Sequence, residues 1–346
     1  MKNLARKIIF KLGTFLFDFR FKYIVAQAQA KLISLSANKK EYDLVFVSPE
    51  EGWILDGICH EIDKFHDGKT VFYYSIRSLP KAKTYFFSHY SLFSSALLAN
   101  PHILNSVNLI YYTHPKYIGQ ASQELIYALN LTTKVFAMNS ACAEMLQSLG
   151  LKPSKVQALA GAADRNIFTP VEFKTREHPC IGFCLGFRGH QHYRERKNYD
   201  LIIELIKIID NADVMILGKN WHQYERFPEL KKLPYFRYVE VSYEQYPAYY
   251  QQMDVFVSAS KLEGGPIPLI EAMMCNVFPV VSNTGFALDV ITHGKNGFLF
   301  DVDASPETIY SLIQQALTLR VDVRKTVEHL TWENFSREIQ KAIAPV

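Results

Sequence analysis

Two glutamates, Glu263 and Glu271, bracket the stretch "KLEGGPIPLIEAMMCN" at residues 261 to 276. Between them stand Gly264, Gly265, Pro266 and Pro268. The preceding "DVFVSAS" reads as a β-strand and "PLIEAMMCN" as a helix starting at about Pro268, so the glycines fall on a loop at the carboxyl end of a strand. Proline in the first helical turn gives up an N–H that would be orphaned anyway. A helix start offers unpaired backbone N–H groups and partial positive charge, a suitable seat for phosphate. Gly264 and Gly265 remove side chains so that a ligand can approach the backbone. Glu271, at about the fourth helical position, can accept a hydrogen bond on each oxygen from two adjacent hydroxyls, as a ribose presents them. Glu263 can meet a sugar hydroxyl near the phosphate. The segment alone is equally consistent with a Glu271 that complements the helix dipole and a solvated Glu263.

The elements that would position these groups follow from the rest of the chain. Its 346 residues make two domains the expectation, and 49% apolar residues suffice for two cores. The net charge of +4 gives no case for nucleic acid. Five cysteines, Cys59, Cys142, Cys180, Cys184 and Cys275, show no zinc spacing; buried thiols in a reducing, cytosolic compartment are expected. No apolar run approaches the roughly 20 residues of a membrane span. Residues 1–40 carry nine Lys and Arg against a single acid, Asp18, together with many bulky apolar residues. An amphipathic helix on an anionic membrane surface has this composition, and so does a helix packed on its own domain with solvated charges.

From residue 41 the chain alternates. "YDLVFVSP", "TVFYYSI", "KTYFFS", "SVNLIYYTHP" and "TKVFAMNS" read as strands, separated by helical stretches such as "ASQELIYALNL" and "ACAEMLQSLG", the last with Gly150 as its C-cap. "LAGAADRNIFTPVEFKTREHP" is turn-rich and suits a linker. The rhythm restarts with "CIGFCLGF", "DVMILGK", "FRYVEVS", "DVFVSAS", "VFPVVSN" and "NGFLFD" as strands and "NYDLIIELIKIIDN" as a strong helix. The pattern predicts two doubly wound α/β domains with parallel sheets. Ligands on such sheets sit at strand carboxyl ends, and a cleft between two such domains is the default site.

"KLEGGPIPLIEAMMCNVFPVVSNTGFALDVITHGKNGFLF" resembles the signature of retaining glycosyltransferases of family 4 (glycosyl transferases group 1), which have the GT-B fold of two Rossmann-like domains facing a cleft. The two glutamates with seven residues between them, the "PVV" strand at Pro279 to Val281 and Asn296-Gly297 all match. "AGAADRNIFTP" resembles the interdomain segment through Asp164, Phe168 and Pro170, with Ala163 in place of the usual valine. "LGFRGHQHYRERKNYDLIIELI" resembles the loop that supplies a basic pair, and "TWENFSREI" the terminal helix that crosses back. The resemblance covers about residues 41 to 346 and implies an N-terminal acceptor-side domain at 1–170, a nucleotide-sugar-binding domain at 171–328 and a returning helix at 329–346.

The resemblance assigns Arg188 and Lys197 to neutralising the donor diphosphate, with Arg196 as an alternative because the loop is long. It assigns Glu271 to the ribose, Glu263 to the neighbourhood of the transferred sugar, and the backbone of Gly265, Ile267, Pro268 and Leu269 to the phosphate. Cations suit the task because negative charge develops on the leaving group; without the other motifs "YRERKN" would read as a solvated basic loop. The usual Glu-Gly-Phe-Gly is Glu-Gly-Gly-Pro here, and Pro266 has no N–H. His114, in "YYTHPKY", matches the histidine that faces the transferred sugar; His89 is a weaker candidate of the same kind, and the glycine-rich first loop is reduced to Gly52 beside Trp53.

The implied reaction moves a sugar, with retention, from a nucleoside-diphosphate sugar to an acceptor hydroxyl by front-face displacement. No cofactor is required and no metal site is expected; "DVD" at Asp301 to Asp303 reads as a turn and helix cap. The expected partners are the donor, a glycan or lipid-linked acceptor and, through residues 1–40, the inner face of the cell membrane. Expected roles lie in cell-envelope polysaccharide or glycolipid assembly. A nucleotide-sugar epimerase of the same architecture and a nonenzymatic scaffold are the competing classes, and the absence of a strand–GxGxxG–helix unit disfavours a nicotinamide dehydrogenase.

Overall fold

The structure is a computed structural model and describes residues 19–34, 40–52, 54–113, 122–170 and 178–343. His114, Trp53 and residues 1–18 of the basic N-terminus lie outside these. The chain forms two compact units, one running up to Leu159 and resuming at Ser336, the other spanning Ala160–Phe335. The division precedes the turn-rich "GAADRNIFTP" stretch, and the helix Trp332–Ile343 contributes to both units.

The first unit carries β1 (Tyr42–Val47), β2 (Thr70–Tyr73), β3 (Ala82–Phe87), β4 (Val107–Tyr112), β5 (Lys134–Ala137) and β6 (Val156–Ala158). They form one sheet in the order β2-β1-β3-β4-β5-β6, parallel throughout. Leu44 to Val47 and Tyr85 to Phe87 are almost wholly buried, as strands covered on both faces must be. Alternation divides their side chains. Val45, Val47, Tyr85, Phe87, Ile110 and Tyr112 share one core with helices Arg20–Ser34, Tyr90–Ala99 and Ser140–Ser148. On the opposite face Phe46 stacks with Phe72 and Phe86 with Tyr111, under helix Ile54–Asp63, whose His60 stacks on Phe72. The order reverses between β1 and β3, which makes their carboxyl ends the topological switch point.

The second unit carries β7 (Cys180–Cys184), β8 (Asp213–Leu217), β9 (Phe236–Val239), β10 (Val255–Ser258), β11 (Phe278–Ser282) and β12 (Phe298–Phe300), ordered β12-β11-β10-β7-β8-β9 and again parallel. Counted from β7, this is the dinucleotide-fold order 3-2-1-4-5-6 read from the far edge. Its switch point lies between β7 and β10, where the loops after Cys184 and Ser258 leave the sheet.

Two elements depart from the sequence-based expectation. β6 was not anticipated; three residues are too few to show a strand period. The stretch read as a basic loop is a helix, Gln191–Lys197, separated from helix Tyr199–Ile208 by Asn198 at φ 57. Asparagine enters the left-handed region more readily than most residues, so it can turn the chain between two helices without glycine.

The loop after β7 is built against aromatic side chains. The Trp221 indole donates to the Leu185 carbonyl at 2.8 Å, the Tyr199 hydroxyl donates to the Gly186 carbonyl at 2.7 Å, and Phe187 packs on Tyr199 and Tyr224. Gly218 closes the other side: a Cβ there would fall 2.1 Å from the Leu185 carbonyl oxygen. Gly218→Ala should therefore displace the loop and cost about 1–3 kcal/mol; urea unfolding with an unchanged midpoint would contradict this packing.

Candidate functional site

At the second switch point the chain brings together side chains that the sequence separates. Helix Gln191–Lys197 ends beside the loop after β10, and the Lys261 N–H donates to the Arg196 carbonyl at 2.8 Å. This backbone tie places Lys197 on Glu263 in an ion pair, with Arg196 3.7 Å from the other carboxylate oxygen. Glu263 is 8% exposed. Burial works to raise its carboxyl, but the charges of Lys197 and Arg196 outweigh burial and hold it below the ordinary carboxylate range. Thr284 Oγ1 accepts the Glu263 N–H at 3.2 Å and fixes the loop from the β11 side.

Arg188, Arg196 and Lys197 all lie over the ring of Tyr193, at 5.5, 4.7 and 5.8 Å from its centroid. Three cations repel one another, and an aromatic face offsets part of that repulsion. Tyr193 was not singled out from the sequence, and nothing in its neighbours "HYRE" marks it. The structure thus groups Arg188 with both alternatives for the second basic position.

Glu271 is the fifth residue of helix Ile267–Met274 rather than the fourth, because the helix begins at Ile267 with Pro266 preceding it. Its carboxyl is buried and accepts hydrogen bonds from the hydroxyls of Tyr243 and, at 2.7 Å, Tyr250. Burial raises this carboxyl above its ordinary value despite both phenols. Each carboxylate oxygen has two lone pairs, so one tyrosine per oxygen leaves capacity for a ligand hydroxyl. The Cys184 thiol, at the end of β7, feels the charges of both Glu271 and Lys197, which places the two in one neighbourhood; burial is the larger influence and pushes that thiol up.

The loop between the glutamates differs from expectation in its detail. Gly265 is required by protein packing, since a Cβ would fall 1.8 Å from the Phe286 ring. Of the other three phosphate-seat positions, Pro268 has no N–H and the Leu269 N–H donates to the Pro266 carbonyl at 2.8 Å, leaving Ile267 as the one of the three with an N–H not so engaged. His89 caps helix Tyr90–Ala99, with its Nδ1 accepting from the Ser91 N–H; burial lowers its pKa to about 4, so it is neutral at ordinary pH. Asp303 pairs with Lys261 at 3.0 Å, its N–H bonds Asp301, and Ser305 is the cap of the following helix.

Comparison with known proteins agrees with this architecture. Residues 191–331 match the family model of glycosyl transferases group 1. The fold is similar to Anabaena Alr3699/HepE, crystallised with UDP-glucose, at 14% identity and a TM-score of 0.67 over 88% of this chain and 99% of that one. It is similar also to the lipopolysaccharide outer core galactosyltransferase WaaB, at 12% identity and a TM-score of 0.65 over 87% and 99% of the two chains. A Klebsiella pneumoniae relative described as an uncharacterized 41.2 kDa protein in the cps region is 24% identical over 119 residues, which is 34% of this chain and about a third (33%) of that protein. The fold is GT-B, and the match to the group 1 glycosyl transferase model falls within the second unit.

The ion pair makes a sharp prediction. Lys197→Met leaves the buried Glu263 with the more distant Arg196 and a Ser260 hydrogen bond, and breaking such a pair costs about 3–5 kcal/mol; Lys197→Met with Glu263→Gln should recover much of the loss. Equal stability of the single and double variants by chemical denaturation would show that the pair is not coupled. The two carboxyls also act in opposite senses with pH. Glu263, lowered, contributes stability above the unfolded carboxylate range that is lost as pH falls through its folded value. Glu271, raised, favours the fold when protonated, and that contribution is lost as pH rises through its folded value. Glu271→Gln should therefore remove a decline in melting temperature on the alkaline side of the carboxylate range; an unaltered pH profile would contradict the assignment.

Proposed function

We propose that this chain transfers a sugar from a nucleoside-diphosphate sugar to an acceptor hydroxyl, with retention of configuration and without a metal. The observation that carries the reading is the cation group Arg188, Arg196 and Lys197 around Tyr193 at the switch point between β7 and β10. A departing nucleoside diphosphate gains negative charge as the glycosidic bond breaks, and preorganised cations stabilise that charge without reorganising at the moment of reaction. Arg188 and the Arg196–Lys197 pair take the diphosphate, Ile267 offers the helix-start N–H, and Glu271 receives ribose hydroxyls on the lone pairs its tyrosines leave. Glu263, already bonded to Lys197, connects the cations to the transferred sugar. His114 is the proposed group on the acceptor side. Uridine donors come first in the ordering, since HepE was crystallised with UDP and UDP-glucose.

The biological reading is envelope polysaccharide or glycolipid assembly at a membrane surface. It is supported by the cps-region relative and by helix Arg20–Ser34, which exposes Ile24, Val25 and Leu32 beside Lys22 and Lys31. Among the described residues no helix is long and apolar enough to cross a membrane.

Thermal shift with a panel of UDP-, GDP- and ADP-linked sugars should identify one responsive donor. Arg188→Ala should then lower the turnover of that donor about 10²- to 10³-fold, with the melting temperature of the ligand-free protein retained. No response to any nucleotide sugar would overturn the transferase reading. Flotation with anionic liposomes should retain the full chain and lose it when Ile24, Val25 and Leu32 are all replaced by serine; equal recovery of the two would count against the membrane surface.

A further inference from the structure

The two phenols that hold the Glu271 carboxyl have a common neighbour. Tyr243 donates to one carboxylate oxygen and Tyr250 to the other. Phe168 lies against both. Its ring centroid is 6.0 Å from that of Tyr243 and 5.8 Å from that of Tyr250, the second pair edge to face. These are the spacings of packed aromatic pairs. Phe168 and Tyr250 are buried, and Tyr243 is half-exposed.

Phe168 stands in the segment that opens the second unit, and that segment is fastened at several points. Asp164 Oδ1 accepts the Asn166 N–H at 2.8 Å, and the Asp164 carbonyl accepts the Phe168 N–H at 2.9 Å, so residues 164–168 form a turn. Arg324 donates to the carbonyls of Arg165 and Phe168 at 2.9 and 2.7 Å. The guanidinium nitrogen that serves Phe168 also donates to the carbonyl of Met274, the last residue of the helix that carries Glu271. Gln251, which follows Tyr250, donates its side-chain amide to the carbonyl and the hydroxyl of Thr169, each at 3.0 Å.

These contacts close a circuit. Glu271 meets the phenols, the phenols meet Phe168, and the Phe168 backbone returns through Arg324 to the helix of Glu271. The guanidinium sets the spacing between the Phe168 turn and that helix, and the ring then limits where the two phenols can stand. A phenylalanine that only fills a core stabilises its unit whatever its neighbours bind. One in such a circuit also governs the angle of the carboxyl. With one phenol on each oxygen, the remaining lone pairs have fixed directions, and two adjacent hydroxyls can meet both.

We propose that Phe168 is a positioning residue for Glu271, acting through the phenols of Tyr243 and Tyr250, with Arg324 as the clasp that sets its depth. The proposal rests on the reading in which Glu271 receives ribose hydroxyls. The test is calorimetric titration of the full chain with UDP, GDP and ADP and with their 2′,3′-dideoxy forms, which lack those hydroxyls. Wild-type protein should prefer one ribonucleotide over its dideoxy form about tenfold or more. Phe168→Leu should bring that ratio close to unity by weakening the ribonucleotide, while affinity for the dideoxy form holds. Glu271→Ala should do the same, and adding Phe168→Leu to it should cost no further affinity, since coupled residues are not additive. Loss of a ground-state contact should also raise the KM of the responsive donor with kcat retained. A Phe168→Leu protein that melts lower but keeps the wild-type ratio would make Phe168 a core residue only; it overturns the proposal and leaves the transferase reading standing. Tyr243→Phe removes one hydroxyl from a half-exposed ring and keeps the test open if Phe168→Leu fails to fold. It should lower the ratio about threefold or more, and an unchanged ratio breaks the middle link and overturns the proposal. Wild-type protein that binds both nucleotide forms equally overturns the ribose role of Glu271 and the proposal with it; binding of neither form overturns the transferase reading itself.

Discussion

A carboxylate removed from water must be given a cation, and the second unit is arranged around that requirement. Glu263 is buried on the loop after β10, and Lys197 reaches it from the end of a different helix. The pairing ties the loop of one strand at the switch point to the segment that follows the other. Arg196 and Arg188 come with Lys197 because all three surround one ring, and the Lys261–Arg196 backbone bond keeps helix and loop in register. Desolvation makes the arrangement strict: shifting the helix by one residue would leave a buried charge unmatched. A site held in this way presents its cations before any ligand arrives.

The two glutamates separated by seven residues meet opposite environments. Glu263 has cations and is held ionised; Glu271 has only phenols and is pushed toward its neutral form. Similar residue types on one short segment thus acquire different chemistry from distant parts of the unit, Lys197 and Arg196 in one case, Tyr243 and Tyr250 in the other. Arg324 performs a related structural service. It donates to the carbonyls of Arg165, Phe168 and Met274, pinning the segment that opens the second unit to the end of the helix that carries Glu271.

The doubly wound architecture was legible because fully buried parallel strands leave short apolar runs between helical stretches, as "CIGFC" and "DVFVSAS" do. The paired glutamates and the cations at Arg188, Arg196 and Lys197 were legible through their order along the chain. Helix Gln191–Lys197 was not, because "QHYRERK" has no apolar stripe; a period-based reading has nothing to find in a helix held by its ends. Tyr243 and Tyr250 were not, because a phenol that meets a carboxylate 21 or 28 residues away leaves no local signal.

Gly265 shows how the loop acquires its shape. The Phe286 ring fills the space where its side chain would stand, and the Phe286 N–H bonds the neighbouring Gly264 carbonyl at 3.2 Å. The curve of the chain in front is therefore moulded from behind, by a wholly buried aromatic plug. A molecule arriving at this surface meets a mould already cast, so its affinity is not diminished by the entropy of ordering a slack segment.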